Sequence, residues 1–93
     1  MKEQALIDQI KAYLNGIPQL FYWKEHGGIY GTAGIPDIII CFKGRFIALE
    51  VKAKGRKTTV LQQITINRIN KAGGTAVVVY SLEEVKELLK KYE

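Results

Sequence analysis

The stretch GIPDIIICFKGRFIALEVK, residues 34–52, decides how this chain folds. Two apolar runs, Asp37–Phe42 and Arg45–Val51, flank Lys43-Gly44, and a two-residue link with glycine in second place is the signature of a tight β-hairpin. With that link Phe42 pairs with Arg45, and counting back along both strands places Asp37 opposite Glu50. Side chains alternate along a strand, so one face carries Asp37, Ile39, Cys41, Phe46, Ala48 and Glu50. The other carries Ile38, Ile40, Phe42, Ile47, Leu49 and Val51. Neither face is polar enough to meet water, which predicts a covering layer on each. The charged exceptions, Asp37 and Glu50, share one open end. A bulge at Gly44 would shift the pairing by one residue and separate them.

Working outward, Lys2–Asn15 places Leu6, Ile10, Tyr13 and Leu14 on one helical face, and Gly16 with Pro18 ends that helix. Leu20–Trp23 is a short aromatic strand. Gly27, Gly28, Gly31 and Gly34 predict a loop that a ligand can approach closely, ending at Pro36. Downstream, Leu61, Ile64, Ile69 and Ala72 predict a second helix that starts near Thr58 or Thr59 and stops at Gly73-Gly74. Thr75–Tyr80 is a β-branched run suited to a buried strand. Ser81 with Glu84 forms a capping box, and Leu82, Val85, Leu88, Leu89 and Tyr92 stripe the last helix. The expected fold class is α/β, in the order α-β-β-β-α-β-α, with helices on both sides of a mixed sheet.

Ninety-three residues suffice for one core, so residues 1–93 are expected to form a single domain. No apolar run approaches the ~18 residues of a membrane span, and the N-terminus has no secretory hydrophobic region. The single cysteine, Cys41, excludes an internal disulfide and a cysteine-rich zinc site. It is expected to fill the interior as a small apolar group. A reducing, cytoplasmic compartment fits this composition. The net charge of +5 points weakly to a polyanionic partner. Its distribution says more, because Lys52, Lys54, Arg56 and Lys57 crowd the segment directly after the second hairpin strand.

Cross-strand partners have Cβ atoms ~5 Å apart, and a period of two puts Lys52 on the face of Glu50. Two carboxylates and an ammonium therefore converge. Facing carboxylates are destabilising unless neutralised, and hard oxygen ligands suit Mg²⁺ or Mn²⁺. A lysine beside them can orient water or offset charge on a phosphate, and together these are the parts of metal-assisted phosphodiester hydrolysis. Each fragment alone has a plainer account, since Pro-Asp is a turn signal and Glu-x-Lys is usually an exposed ion pair. Their joint placement carries the argument.

Gly34-Ile35-Pro36-Asp37, a strand, a glycine turn and then Leu49-Glu50-Val51-Lys52 resemble the PD-(D/E)XK restriction-endonuclease-like core. More specifically, they resemble the virus-type replication-repair nuclease (VRR-NUC) domain in its short stand-alone phage or bacterial form. The similarity runs along nearly the whole chain. It includes the opening Met-Lys-Glu with its amphipathic helix, the glycine-and-basic loop, and the Leu61-Gln62 helix start. Gly73-Gly74 before a valine-rich strand and the final Ser-Leu-Glu-Glu-Val helix complete it.

The resemblance implies that Asp37 and Glu50 are metal-binding acids, with the Val51 carbonyl and Glu3 of the first helix as further ligands. It implies that Lys52 is the catalytic lysine and that Gln62 touches the lysine, the water or a phosphate. Lys54, Arg56, Lys57 and Lys24 are the expected DNA contacts. The implied activity is a Mg²⁺- or Mn²⁺-dependent endodeoxyribonuclease selective for DNA structure, resolving four-way (Holliday) junctions as a homodimer. Two rival readings are a nickase or flap and repair nuclease, working alone or with a replication partner, and a catalytically idle DNA-binding module. His26 and Thr58 have ordinary roles in loop and cap, whereas Tyr22, Trp23 and Tyr30 are better suited to packing than to base stacking.

Overall fold

The computed structural model describes residues 2–26 and 34–93. Its elements are α1 (Glu3–Asn15), β1 (Leu20–Lys24), β2 (Ile38–Phe42), β3 (Arg45–Val51), α2 (Val60–Lys71), β4 (Thr75–Val79) and α3 (Leu82–Lys90). The expected order and the expected mixed sheet are both present. The sheet runs β1-β2-β3-β4; the first two pairings are antiparallel and β3 with β4 is parallel. A parallel neighbour requires a crossover, and α2 provides it. The glycines at 27, 28 and 31 and Tyr30, read above as loop and packing residues, lie outside the described residues.

The hairpin forms without a bulge. Lys43 and Gly44 both have positive φ, 52° and 81°, the combination a two-residue turn of matching twist requires. Phe42 pairs with Arg45 and the register continues to Ile38 opposite Leu49. The next step brings Asp37 level with Glu50, as the hairpin count predicts.

Ile38, Ile40, Phe42, Ile47, Leu49 and Val51 are all buried beneath Leu6, Ile10 and Leu14 of α1 and Val85, Leu88 and Leu89 of α3. The opposite face differs from expectation. Ile39 and Ala48 pack with Ile66 of α2 and Ala76 of β4, with Ile69 and Val78 alongside. Cys41 is exposed, and so is Phe46. The expectation of an interior Cys41 is therefore corrected: α2 covers the β3–β4 half of this face and leaves the turn end of β2 open. The buried stripe of α2 is centred on Ile66 and Ile69, while Leu61 and Ile64, also apolar, remain about half exposed.

Capping is as the sequence indicates. Thr59 is the N-cap of α2: its hydroxyl accepts from the Gln62 N–H, and the Gln62 side chain accepts from the Thr59 N–H. Ser81 and Glu84 make the equivalent box at α3.

Gly34 packs against α2 in the segment that leads into Asp37 and β2. It has φ of +83°, and a Cβ there would lie 2.9 Å from Thr65 Oγ1 and 3.0 Å from both the Leu61 side chain and its carbonyl. Backbone conformation and packing both demand glycine. Gly34→Ala is expected to destabilise the protein by about 2–3 kcal/mol in denaturant unfolding. An equal cost at Gly44→Ala, where nothing lies within 4 Å, would show that φ alone and not close packing sets the requirement.

Candidate active site

Strand ends assemble the site. Asp37 immediately precedes β2, Glu50 is the penultimate residue of β3 and Lys52 follows β3. The Lys52 N–H donates to the Val79 carbonyl at 3.0 Å, which continues the parallel ladder one residue past the strand and fixes the backbone that carries the lysine. The Asp37 carboxylate accepts from the Val51 N–H at 2.8 Å. That bond draws the aspartate across the strand pair toward Glu50.

Glu50 is only 2% exposed and is the buried charged residue of the described chain. Burial pushes its carboxyl up to about 8, the hydrogen bond with Asp37 and the Asp37 charge push the same way, Lys52 opposes them, and Glu3 adds a smaller upward push. At neutral pH, with only protein around it, the Glu50 carboxyl is held largely protonated. Lys52 Nζ lies 3.9 Å from Glu50 Oε2, its side chain 12% exposed. Lys24, level with Ile38 in the β1–β2 pairing, reaches to 4.0 Å from Asp37 Oδ1 and donates to the Glu25 carbonyl at 2.6 Å. Each acid thus has one lysine beside it.

The remaining expected site residues fall at different distances from this centre. Glu3 comes to its flank, where its carboxylate accepts from the Ala53 N–H at 3.3 Å. Among the described residues no three His, Cys, Asp or Glu side chains gather closely enough to ligate one ion. Gln62 uses its side-chain oxygen in the α2 cap, and none of its hydrogen bonds reaches Asp37, Glu50 or Lys52. Lys54, Arg56 and Lys57 are exposed on the loop after Lys52, away from the buried Glu50.

Two contacts are not indicated by the sequence pattern. The Tyr80 hydroxyl donates to the Arg56 carbonyl at 3.1 Å and ties the basic loop to the end of β4. The pairing of Lys24 with Asp37 depends on the β1–β2 register, and the link between those strands is too long to fix it.

A divalent ion fits the donor set. The buried Glu50 carboxyl meets the partly exposed Asp37 carboxylate, a pairing that disfavours two negative charges without a counter-ion, and a strand residue's N–H and C=O point to the same side. The Val51 carbonyl therefore lies on the side of Asp37, to which Val51 donates. Two carboxylates and a carbonyl, with water completing the shell, suit an ion such as Mg²⁺ that retains several waters.

Two solved structures superpose on nearly the whole chain. One, a VRR_NUC domain, gives a TM-score of 0.82 at 24% identity, covering 100% of this chain and 99% of its own. The other, a VRR_NUC domain protein, gives 0.79 at 20% identity, covering 99% of this chain and 88% of its own. No protein-family model and no curated protein matches the chain. The fold is that of the VRR_NUC domain, as the sequence resemblance implied.

Proposed function

We propose that the chain is a metal-dependent endonuclease acting on branched DNA. The observation that carries this reading is the pair Asp37 and Glu50, brought from facing strands to one end of the sheet, with Glu50 buried and Lys52 Nζ 3.9 Å from it. Asp37, Glu50 and the Val51 carbonyl would hold Mg²⁺ or Mn²⁺. When bound, such an ion polarises a phosphodiester and lowers the pKa of coordinated water. Asp37 has a second task, because its bond to the Val51 N–H keeps the carbonyl of the same residue aimed at the site. Lys52 contributes positive charge and a hydrogen-bond donor next to Glu50, where a phosphate oxygen or attacking water would sit. Its partial burial keeps that charge little screened.

The exposed Lys54, Arg56 and Lys57 supply sequence-independent affinity for the backbone. If all three meet phosphates, the triple alanine variant is expected to flatten the plot of log affinity against log salt by roughly 2–3 units of slope. An unchanged slope, read by fluorescence anisotropy at several salt concentrations, would remove that loop from the interface. No base-reading helix is evident, so recognition of DNA shape is expected over recognition of sequence.

The proposed substrate is the four-way junction. It has approximate two-fold symmetry, and a homodimer would present one site to each of two opposed strands. The test is cleavage of junction, flap and linear duplex side by side, with and without Mg²⁺ or Mn²⁺. Metal-dependent cutting that favours the junction supports the full reading. Cutting of flaps alone leaves a nuclease of the repair type, and binding without cutting under either metal leaves the idle module.

A further inference from the structure

We propose that Tyr80 is a substrate-positioning residue. Its hydroxyl holds the basic turn Ala53–Arg56 in one shape, so that Lys54 and Arg56 meet DNA phosphates without first having to be ordered. The inference rests on the DNA-contact role given to that loop and extends it to a residue outside the basic cluster.

The turn begins as a local structure. The Arg56 N–H donates to the Ala53 carbonyl at 3.0 Å. Between them Gly55 has φ of +86° and Lys54 does not have positive φ, the pattern of a type II turn. One backbone bond is little to order a turn whose cations, Lys54, Arg56 and the adjoining Lys57, are exposed and repel one another. Two contacts from outside compensate. At its start the Glu3 carboxylate of α1 accepts from the Ala53 N–H at 3.3 Å. At its end the Tyr80 hydroxyl donates to the Arg56 carbonyl at 3.1 Å. Tyr80 is itself well held, because its N–H donates to the Glu84 carboxylate, which also takes the Ser81 N–H at 3.0 Å in the α3 cap. The start of a helix is thus tied to a loop far back in the chain.

Position links this turn to the reacting centre. Val51 pairs with Val79, and both are buried in the same core. The residues that follow them, Lys52 and Tyr80, therefore leave the sheet on the opposite side, that of Glu50. The bond from the Lys52 N–H to the Val79 carbonyl keeps the two segments side by side. A DNA strand with its reacting phosphate at Lys52 would bring a neighbouring phosphate to the turn. The Tyr80 ring is 40% exposed, so packing alone does not account for it, and the hydroxyl is what sets it apart from phenylalanine.

Ordering a loop on binding costs affinity, and a loop already ordered avoids that cost. Losing the tether should therefore weaken binding by the same factor at every salt concentration, because the same cations still meet phosphates and release the same counter-ions. Losing a contact flattens the plot of log affinity against log salt, whereas losing order displaces it in parallel.

Fluorescence anisotropy with a labelled four-way junction in EDTA, at several salt concentrations, tests the tether. Tyr80→Phe should bind roughly 3- to 10-fold more weakly than the wild type, with a parallel slope. Gly55→Ala should do the same through the turn itself, since its φ is positive while nothing lies within 4 Å of the added Cβ. Gly55→Asn, which tolerates that φ, should recover most of the loss. Nitrogen-15 relaxation on the 10.5 kDa chain should show the order parameters of the Lys54–Lys57 amides falling from about 0.8 toward 0.6 in Tyr80→Phe, with those of α3 unchanged. In single-turnover cleavage the change should fall on the half-saturating DNA concentration and not on the saturated rate. Unchanged affinity in Tyr80→Phe overturns the proposal, as do unchanged order parameters, a flattened salt slope, or a Gly55→Asn variant that binds no better than Gly55→Ala. Neither binding nor relaxation depends on cleavage. If no form cleaves with Mg²⁺ or Mn²⁺ while the binding pattern holds, the nuclease reading fails and the tether stands. Metal-dependent cleavage with Tyr80→Phe matching the wild type in affinity and order removes the tether and leaves the nuclease.

Discussion

Asp37→Asn is expected to lower single-turnover DNA cleavage by roughly 10³-fold while leaving fold and DNA affinity near those of the wild type. The carboxamide keeps an oxygen for the Val51 N–H, which the wild-type aspartate accepts at 2.8 Å. It removes the negative charge that a divalent ion would need. Asp37→Ala is a poorer probe, because it also leaves the Val51 N–H without its acceptor, at a cost of about 1–3 kcal/mol. An alanine variant that loses activity could therefore have lost its strand end. If Asp37→Asn cleaves at more than a tenth of the wild-type rate with anisotropy-measured affinity unchanged, the aspartate does not hold the reacting centre.

Glu50→Gln should separate activity from stability more sharply. Cleavage should fall by a similar factor, since glutamine is a weak metal ligand with no charge. In EDTA, however, the variant should be the more stable protein at alkaline pH. The folded Glu50 carboxyl titrates near 8, against 4.5 for the ordinary group, because burial and Asp37 disfavour its charge. A raised carboxyl binds more protons folded than unfolded, so its contribution is complete below about 4.5 and declines as pH rises toward about 8. Glutamine imitates the protonated acid at every pH. Denaturant unfolding should therefore give similar stabilities at pH 5 and an advantage of a few kcal/mol for Glu50→Gln at pH 9. A parallel pH dependence in the two proteins would mean that Glu50 ionises freely in the folded chain.

The hairpin was the most legible part of the chain because several signals agree on it. The Lys43-Gly44 link fixes the turn, the turn fixes the register, and the register brings Asp37 level with Glu50. The caps at Thr59 and Ser81 were equally local and equally readable. What escaped the sequence depends on how layers are laid over the sheet. α2 carries apolar residues on more than one side, Leu61 and Ile64 on one and Ile66 and Ile69 on another, so periodicity does not choose which side is buried. The exposure of Cys41 and Phe46 follows from that choice. The position of β1 at the edge, and with it the contact of Lys24 with Asp37, follows from a strand order that local patterning does not encode. The part that Gln62 takes in the α2 cap through its oxygen is a local contact that the resemblance did not indicate.

The central claim is that Asp37 and Glu50 together hold one divalent ion, and calorimetric titration with Mn²⁺ at pH 8 tests it without reference to any substrate. The wild type should bind in a single class of site near one ion per chain, and both Asp37→Asn and Glu50→Gln should weaken that binding at least tenfold. Wild-type protein that takes up no ion, or variants that take it up equally well, would contradict the account.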